Sequence, residues 1–514
     1  MSTIDYGNTV ADSAPVSLGA LMDNKVKAIP SASTPARHRW RAFGLLAAAY
    51  FMTIVDFTIV NVALPTIGRQ LHFTESNLQW VVTAYALTFG GFLLLGGRAA
   101  DLVGRRRMFL IGMAVFTIAS FGCALASTDI VLIVMRGVQG LGAAGVIPAS
   151  LSIATNMFTE GAERNKALGV WGALGAAAGT TGLLAGGVLT RFAGWSSIFY
   201  FNVPIGIIVL LLARRMVPES RSEKSLRRYD PFGALTITAA LICLVYAISK
   251  APQAGWAGPQ TVGMLAGAGA LLVAFVLVET RVESPLLPLR LFRVTSIAGA
   301  NAVSFLLGTS FLTFVYLGTL YMQQVLGYSA LQTGAAWCVA SVTSVSLAAL
   351  SQKLVTRTSP ELVMALGLSL IGAGLLWATR APADGHFWQN LAGPFFVSGA
   401  GTAFSFIPIS IGALSGTTER DAGVASGLLN TTQQIGAAIG VAIASTIAAT
   451  RTHAALAAHG TALPVALTDG FHWAFLVCGL TALLAPVVAL ATRRRAQTAP
   501  APLSSGELAG QPVG

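Results

Sequence analysis

The chain has 514 residues, of which 54% are hydrophobic and only 10% charged, and its formal net charge is +12. So apolar a composition excludes a soluble globular protein of this length and implies a polytopic membrane protein. The positive charge does not imply nucleic acid, because Lys and Arg punctuate apolar runs instead of forming the contiguous stripe of a nucleic-acid-binding face.

Residues 1–40 are polar, rich in Ser, Ala and Pro, and lack the apolar core of a signal peptide, so they read as a disordered cytoplasmic tail. Apolar runs then predict spans near 43–65, 78–97, 107–126, 130–153, 168–190, 197–213 and 231–249. Seven more follow near 260–278, 296–320, 331–352, 361–379, 391–413, 424–447 and 471–491, which makes fourteen. Runs of about 20 residues cross a hydrocarbon core of roughly 30 Å at 1.5 Å per residue. With the N-terminus inside, all of the 32 Lys and Arg except Arg69, Arg136, Arg191, Lys250, Arg380 and Arg451 fall in cytoplasmic segments. That is the positive-inside pattern.

The basic loop 214–230 reads as a hinge after a first six-helix bundle, 41–213. Two inserted spans and a basic loop occupy 231–295, a second six-helix bundle 296–492, and a second disordered cytoplasmic tail 493–514. Glu163-Arg164 opens a Gly-rich fifth span and Glu419-Arg420 a Gly-rich thirteenth, a faint repeat of one bundle in the other.

Between the second and third spans lies a short charged turn from Gly97 to Arg107, where Gly97 and Gly104 permit a reversal and Asp101 is the lone acid. The N-terminus of the thirteenth span, near Val424, lies on the same side and offers Asp101 the positive end of a helix dipole. Span one buries Asp56, which costs roughly 2.5 to 3.5 kcal/mol and calls for a partner or a function. The basic residue deep in a span is Arg136. Counted from the outer ends, Asp56 lies nine residues from Pro65 and Arg136 six from Ile130, depths of about 13 and 9 Å, so the two can meet. A structural ion pair and a proton site whose affinity is tuned by desolvation against Arg136 are both open on these residues.

In span five, Gly182, Gly186 and Gly187 allow close helix packing and bending. Polar residues placed to line a cavity are Asn61, Tyr85, Gln139, Asn301, Gln324, Asn430 and Gln433, with Gln323 and Gln434 beside them. In-span amides serve equally as substrate contacts or as interhelical glue. With Phe305, Phe311, Phe314, Phe404 and Phe406 they suit amphiphilic organic molecules.

No Gly-x-x-x-x-Gly-Lys-Ser/Thr occurs, so work must come from an ion gradient rather than ATP, and no cofactor is expected. Neither a Gly-x-Ser-x-Gly elbow nor a His-Glu-x-x-His helix is present, which argues against an enzyme. The six histidines fall in tails, loops or a span end, and Cys123, Cys243, Cys338 and Cys478 read as single buried thiols with no metal-ligand spacing.

The spacing Gly97, Asp101, Gly104, Arg105, Arg106 resembles the signature loop of the major facilitator superfamily, with Ala99 and Leu102 as departures. The run from Asp56 through Thr58, Val60, Asn61, Ala63 and Leu64 to Pro65 is similar to the mark of that family's fourteen-span drug:proton antiporter branch. Arg136 with Gln139 and Gly140 looks like its fourth-span signature. Further likenesses are Gln79-Trp80 with Tyr85, Asn202-Val203-Pro204-Ile205-Gly206, Pro285-Leu286-Leu287-Pro288-Leu289, and Gln324 with Gly327-Tyr328. Span five departs, with Leu183 where that branch usually has proline.

The resemblance implies an all-α polytopic fold of two six-helix bundles plus two inserted spans, rocking about a midplane cavity. It implies a proton-coupled exporter of drug-like or secondary-metabolite compounds, with Asp56 and Arg136 as the coupling pair and Gly97, Asp101, Gly104, Arg105 and Arg106 as a conformational latch. The expected partners are the lipid bilayer, protons and a small amphiphilic substrate, and the expected state is a monomer in the cell membrane. An importer or uniporter on the same fold, and a non-transporting sensor, are the rival readings.

Overall fold

The computed structural model describes residues 36–158, 162–219, 231–282, 285, 295–414, 419–459 and 462–498. Most of tail 1–40, most of hinge 214–230, the greater part of loop 283–294 and the end of tail 493–514 lie outside the described residues. So do the side chains of Asp101, Glu419, Arg420 and Val424.

The first six helices are α1 (Ala36–Gln70), α2 (Trp80–Val103), α3 (Arg105–Ala124), α4 (Asp129–Met157), α5 (Ala162–Ala193) and α6, the last in two segments, Ser197–Tyr200 and Asn202–Met216. Helices α7 (Pro231–Ala254) and α8 (Pro259–Arg281) follow. The second set begins with α9, which runs from Thr295–Leu307 through Gly308–Leu312 and Thr313–Leu320 to Tyr321–Val325, with π-helical turns at the second and fourth stretches. Then come α10 (Ala330–Arg357), α11 (Pro360–Ala378), α12 (Phe387–Leu391 continuing as Ala392–Leu414), α13 (Glu419–His459) and α14 (Leu463–Thr498).

Thirteen of these are long and apolar enough among the described residues to cross a membrane. The fourteenth, α5, has 32 residues, roughly 48 Å of helix. The protein is therefore an integral multi-pass membrane protein.

Where the turns fall follows from local chemistry. Thr128 caps α4 by accepting from the Val131 amide, and Ser329 with Gln332 forms a reciprocal capping box at the start of α10. The expected charged turn from Gly97 to Arg107 is shorter than its composition suggests. Helix α2 runs on to Val103 and α3 starts at Arg105, so the reversal rests on Gly104 alone, with φ +115°. Gly97 sits inside α2, where a Cβ would make an ordinary 3.6 Å contact with Pro148. Charged residues do not end a helix. Once past the hydrocarbon the backbone still has no better hydrogen-bond partners than its own.

Helices α1 to α6 pack on one another, α2 and α3 both against α4, and α1 against α5 and α6. Helices α9 to α14 form the second bundle, with α11 on α12 and α14, and α13 on α9 and α14. Lipid removes the hydrophobic drive between helices, so close approach through small residues carries the packing. Between α3 and α4, a Cβ on Gly112 would lie 2.8 Å from the Gly142 carbonyl, and one on Gly142 2.5 Å from the Phe116 amide.

The bundles meet along two seams, α5 against α10 and α2 against α13. Helix α7 lies over the second seam and touches both α2 and α13, while α8 leans on α7 and is the least buried of the thirteen spans. Here Thr238 presses on Gly91, the Gln79 amide donates to Ser249 Oγ at 2.6 Å, and Thr446 Oγ1 donates to the Ile248 carbonyl at 3.3 Å.

Candidate functional site

One end of the molecule, the basic face, carries Arg105, Arg106, Arg107, Arg214, Arg215, Lys353 and Arg357 at helix ends. Toward the opposite face, the first bundle closes around a polar cluster. Helix α1 supplies Asp56, α4 supplies Arg136 and Gln139 one turn apart, and α3 supplies Ser120 and Cys123 one turn apart. Asn202 arrives from the first position of the second α6 segment.

Arg136 Nη1 donates to Asp56 Oδ2 at 2.7 Å and to Gln139 Oε1 at 2.6 Å, and its Nε donates to the Val81 carbonyl at 2.9 Å. The other carboxylate oxygen, Oδ1, accepts from Gln139 Nε2 at 2.8 Å and from Asn202 Nδ2 at 2.6 Å. Gln139 Nε2 also donates to Ser120 Oγ at 2.8 Å. The guanidinium lies 4.4 Å from the centroid of the Tyr85 ring, a cation–π contact. Asp56, Arg136 and Gln139 are fully buried and Asn202 is 1% exposed. Breaking a buried pair by deleting one member strands the other charge, at about 3 to 5 kcal/mol. Two buried polar atoms of the cluster, Arg136 Nη2 and Asn202 Oδ1, have no hydrogen-bond partner among the described residues.

Tyr85 and Gln139 thus belong to this sealed cluster and not to a space between the bundles. The other candidate cavity residues scatter. Asn61 is 4% exposed and turns its amide back to the carbonyls of Phe57 and Thr58 on its own helix, at 3.3 and 3.2 Å. Asn301 joins α9 to α13 by accepting from Thr432 Oγ1 at 3.1 Å. Asn430 is exposed and Gln433 half-buried, both on α13. Gln324 lies near the opposite face, in a cavity of about 460 Å³ with Pro65, Arg69, His72 and Phe73. Phe311 and Phe406 meet edge to face at 6.5 Å, whereas Phe314 is locked in the aromatic core with Trp337, Phe395 and Phe475.

Helix α5 has two glycine faces. A Cβ on Gly182 would strike the Thr58 hydroxyl, and one on Gly186 would lie 2.6 Å from the Ile59 carbonyl, so both press α5 on α1. Gly187 faces the other bundle, where a Cβ would lie 2.7 Å from the Ala330 carbonyl on α10. Gly334 answers it over the Leu183 carbonyl, and Gln323 Nε2 donates across to the Val62 carbonyl at 2.8 Å. An apolar cluster containing Ile59, Val62, Leu320 and Tyr321 continues between the bundles there.

On the basic face, Arg106 is held within the first bundle. Its backbone amide donates to Glu219 Oε1 at 3.1 Å, its Nη1 donates to the Val217 carbonyl at 3.2 Å, and Glu219 Oε2 lies 3.7 Å from both Arg106 Nε and Arg107 Nε. Glu219 thereby occupies the N-terminus of α3, where a carboxylate is favoured by orphan amides and the helix dipole. Arg98 donates to the Pro285 carbonyl. The expected contact of Asp101 with α13 lies outside the described residues.

Sequence alone does not mark Asn202, Ser120 and Glu219 for chemistry. Asn202 left a trace as the amide opening the Asn-Val-Pro-Ile-Gly run, and Glu219 as an acid just after a basic helix end. Among the described residues, no group of three or more His, Cys, Asp or Glu could hold a metal.

Solved structures with this architecture include the POT family transporter PepTSo, at a TM-score of 0.68 and 14% identity over 90% of this chain and 99% of that one. At that identity the likeness shows the fold alone. Among curated proteins, the puromycin resistance protein pur8 of Streptomyces alboniger is 35% identical over 87% of this chain and 89% of its own length. The cephamycin export protein CmcT of Amycolatopsis lactamdurans is 38% identical over 81% and 87%. A family profile matches residues 46–441, and with these relatives it shows that the chain belongs to the Major Facilitator Superfamily.

Proposed function

We propose that this protein is a proton-coupled secondary transporter that exports amphiphilic drug-like or secondary-metabolite compounds by alternating access between its two bundles. The observation that carries the proposal is the fully buried Asp56–Arg136 pair, a protonatable acid and a fixed cation inside one moving body. The printed names of the relatives, puromycin resistance and cephamycin export, point to antibiotics as the substrate class. Asn430 and Gln433, with Phe311 and Phe406, supply hydrogen-bonding points and aromatic surface for such a ligand.

The basic face lies in the cytoplasm on the positive-inside argument, with both termini there. The contacts of Gln323 with Val62 and of Gly187 with Ala330 then close the bundles toward the outside, with the ion pair intact. When the cavity opens outward, a proton from the acidic side neutralises Asp56 and frees it from Arg136. When it opens inward, loss of the proton restores the pair. Asp101, with Gly97, Gly104, Arg105 and Arg106, forms the latch that parts in the inward-open state. The working unit is a monomer, needs no cofactor and draws its energy from the proton gradient.

The test is reconstitution into proteoliposomes with an imposed pH gradient and a panel of amphiphilic antibiotics. Accumulation against a concentration gradient that collapses with the pH gradient is the expected result. Equilibration of substrate without regard to pH would overturn exchange in favour of uniport, the reading that Leu183 in place of the usual proline keeps in play.

A further inference from the structure

Asp56 Oδ2 faces the guanidinium of Arg136, a group that never gives up its proton, so an O–H on that oxygen would point at N–H donors. The proton must therefore settle on Oδ1, which faces the amides of Gln139 and Asn202. An ionised carboxylate only accepts, so both amides present N–H to it, whereas a protonated one needs an acceptor. Gln139 cannot supply one without loss, because its Oε1 already accepts from Arg136 at 2.6 Å. Asn202 can, because its Oδ1 is buried and has no hydrogen-bond partner among the described residues, and turning over gives up only the long 3.5 Å contact of its Nδ2 with Ser120 Oγ.

We propose that Asn202 is the positioning residue that follows the proton on Asp56: its amide donates to the carboxylate and turns over to accept from the carboxylic acid. The inference rests on the proton-coupling reading above. No bond forms or breaks except the O–H on Oδ1, whose proton comes from the aqueous side, and Arg136 stays cationic throughout. Asn202 is the first residue after the break at Phe201, and one turn further along α6 a Cβ on Gly206 would strike the Thr117 hydroxyl of α3. With α6 pinned there, the freedom left to Asn202 is rotation of its amide. The other charged or titratable groups facing Asp56 are Arg136 from α4, Tyr85 from α2 and Cys123 from α3.

Proteoliposomes holding the full chain test this with the amphiphilic antibiotic that the wild type accumulates as the transported probe and the pH of half-maximal driven exchange as the readout. Asn202→Leu keeps the volume and removes the amide, and it is expected to move that midpoint by about one pH unit, a tenfold change in proton activity. Asn202→Ser retains a group that both donates and accepts and should restore the midpoint to within a few tenths of a unit. An unmoved midpoint in Asn202→Leu, or an equal displacement in Asn202→Ser, overturns the proposal.

Asp56→Asn, run beside them, separates the two levels. Driven accumulation surviving in Asp56→Asn sinks the coupling reading itself, whereas a dead Asp56→Asn beside an unaltered Asn202→Leu sinks only the role of Asn202. If Asn202→Leu does not assemble, pH-difference infrared spectra of the wild type decide. A side-chain amide band must change in step with the carboxyl band and vanish in Asn202→Ser, and its absence from the wild type refutes the turnover.

Discussion

Arg136 Nη1 stands 2.7 Å from Asp56 Oδ2 with neither side chain exposed to solvent. An ion pair so enclosed is a poor source of stability in itself, because desolvation of two charges offsets most of their attraction. Its members are nonetheless hard to remove singly.

Arg136→Ala is therefore expected to destabilise the purified protein by about 3 to 5 kcal/mol, since it leaves the buried Asp56 without its cation. The double change Asp56→Leu with Arg136→Met should recover most of that loss while leaving transport dead. Thermal unfolding in detergent, read beside transport, distinguishes this from a pair kept for stability, for which the double variant would stay as unstable as the single one.

Asp56→Asn mimics the protonated acid, which accepts and donates but carries no charge. It is expected to abolish accumulation driven by a pH gradient while substrate binding persists at a measurable level. Extrusion against a gradient at the wild-type rate would place the coupling site elsewhere.

The ion pair was legible in the sequence because charges are rare and costly inside apolar runs, and counting residues from the span ends set their depths. Asn202 and Ser120 were not, since uncharged polar groups are cheap in a span and reveal themselves only through partners brought from other helices. Tyr85 and Gln139 read from sequence as cavity residues because polarity alone does not say which face of a helix is turned to a neighbour. The fourteen spans were legible as apolar runs, but their ends were not. Hydropathy marks the lipid-facing stretch, whereas α13 extends from Glu419 to His459, well past the expected 424–447. The same limit explains Gly97, which as a glycine reads as part of the reversal with Gly104 although the helix simply continues.

Glu219 is the acid that holds Arg106 and Arg107 at the start of α3. Glu219→Gln keeps a hydrogen bond to the Arg106 amide and loses the charge, so the site should weaken by about 1 kcal/mol or less, as expected of partly exposed pairs. Asp101→Asn should do more to conformation, shifting a cysteine probe in the cytoplasmic mouth toward the inward-open labelling pattern. Equal labelling of wild type and Asp101→Asn at normal expression would remove Asp101 from the latch.

Gly186 and Gly187 are neighbours on α5 but face different partners, and that difference predicts different failures. A side chain on Gly186 meets the Ile59 carbonyl within the first bundle at 2.6 Å, so Gly186→Val forces α5 from α1 and should lower thermal stability and abolish transport together. A side chain on Gly187 meets the Ala330 carbonyl of the second bundle at 2.7 Å, and here the bundles can relieve the clash by parting. Gly187→Ala is thus expected to leave each bundle intact and to favour the state in which α5 and α10 separate near Ala330. Cysteine probes placed at Val62 and Leu331 should then label faster from the outside, with little change in unfolding temperature. Should Gly187→Ala destabilise the fold as severely as Gly186→Val and leave labelling unaltered, the α5–α10 contact is a fixed part of the structure and not a closure that opens during transport.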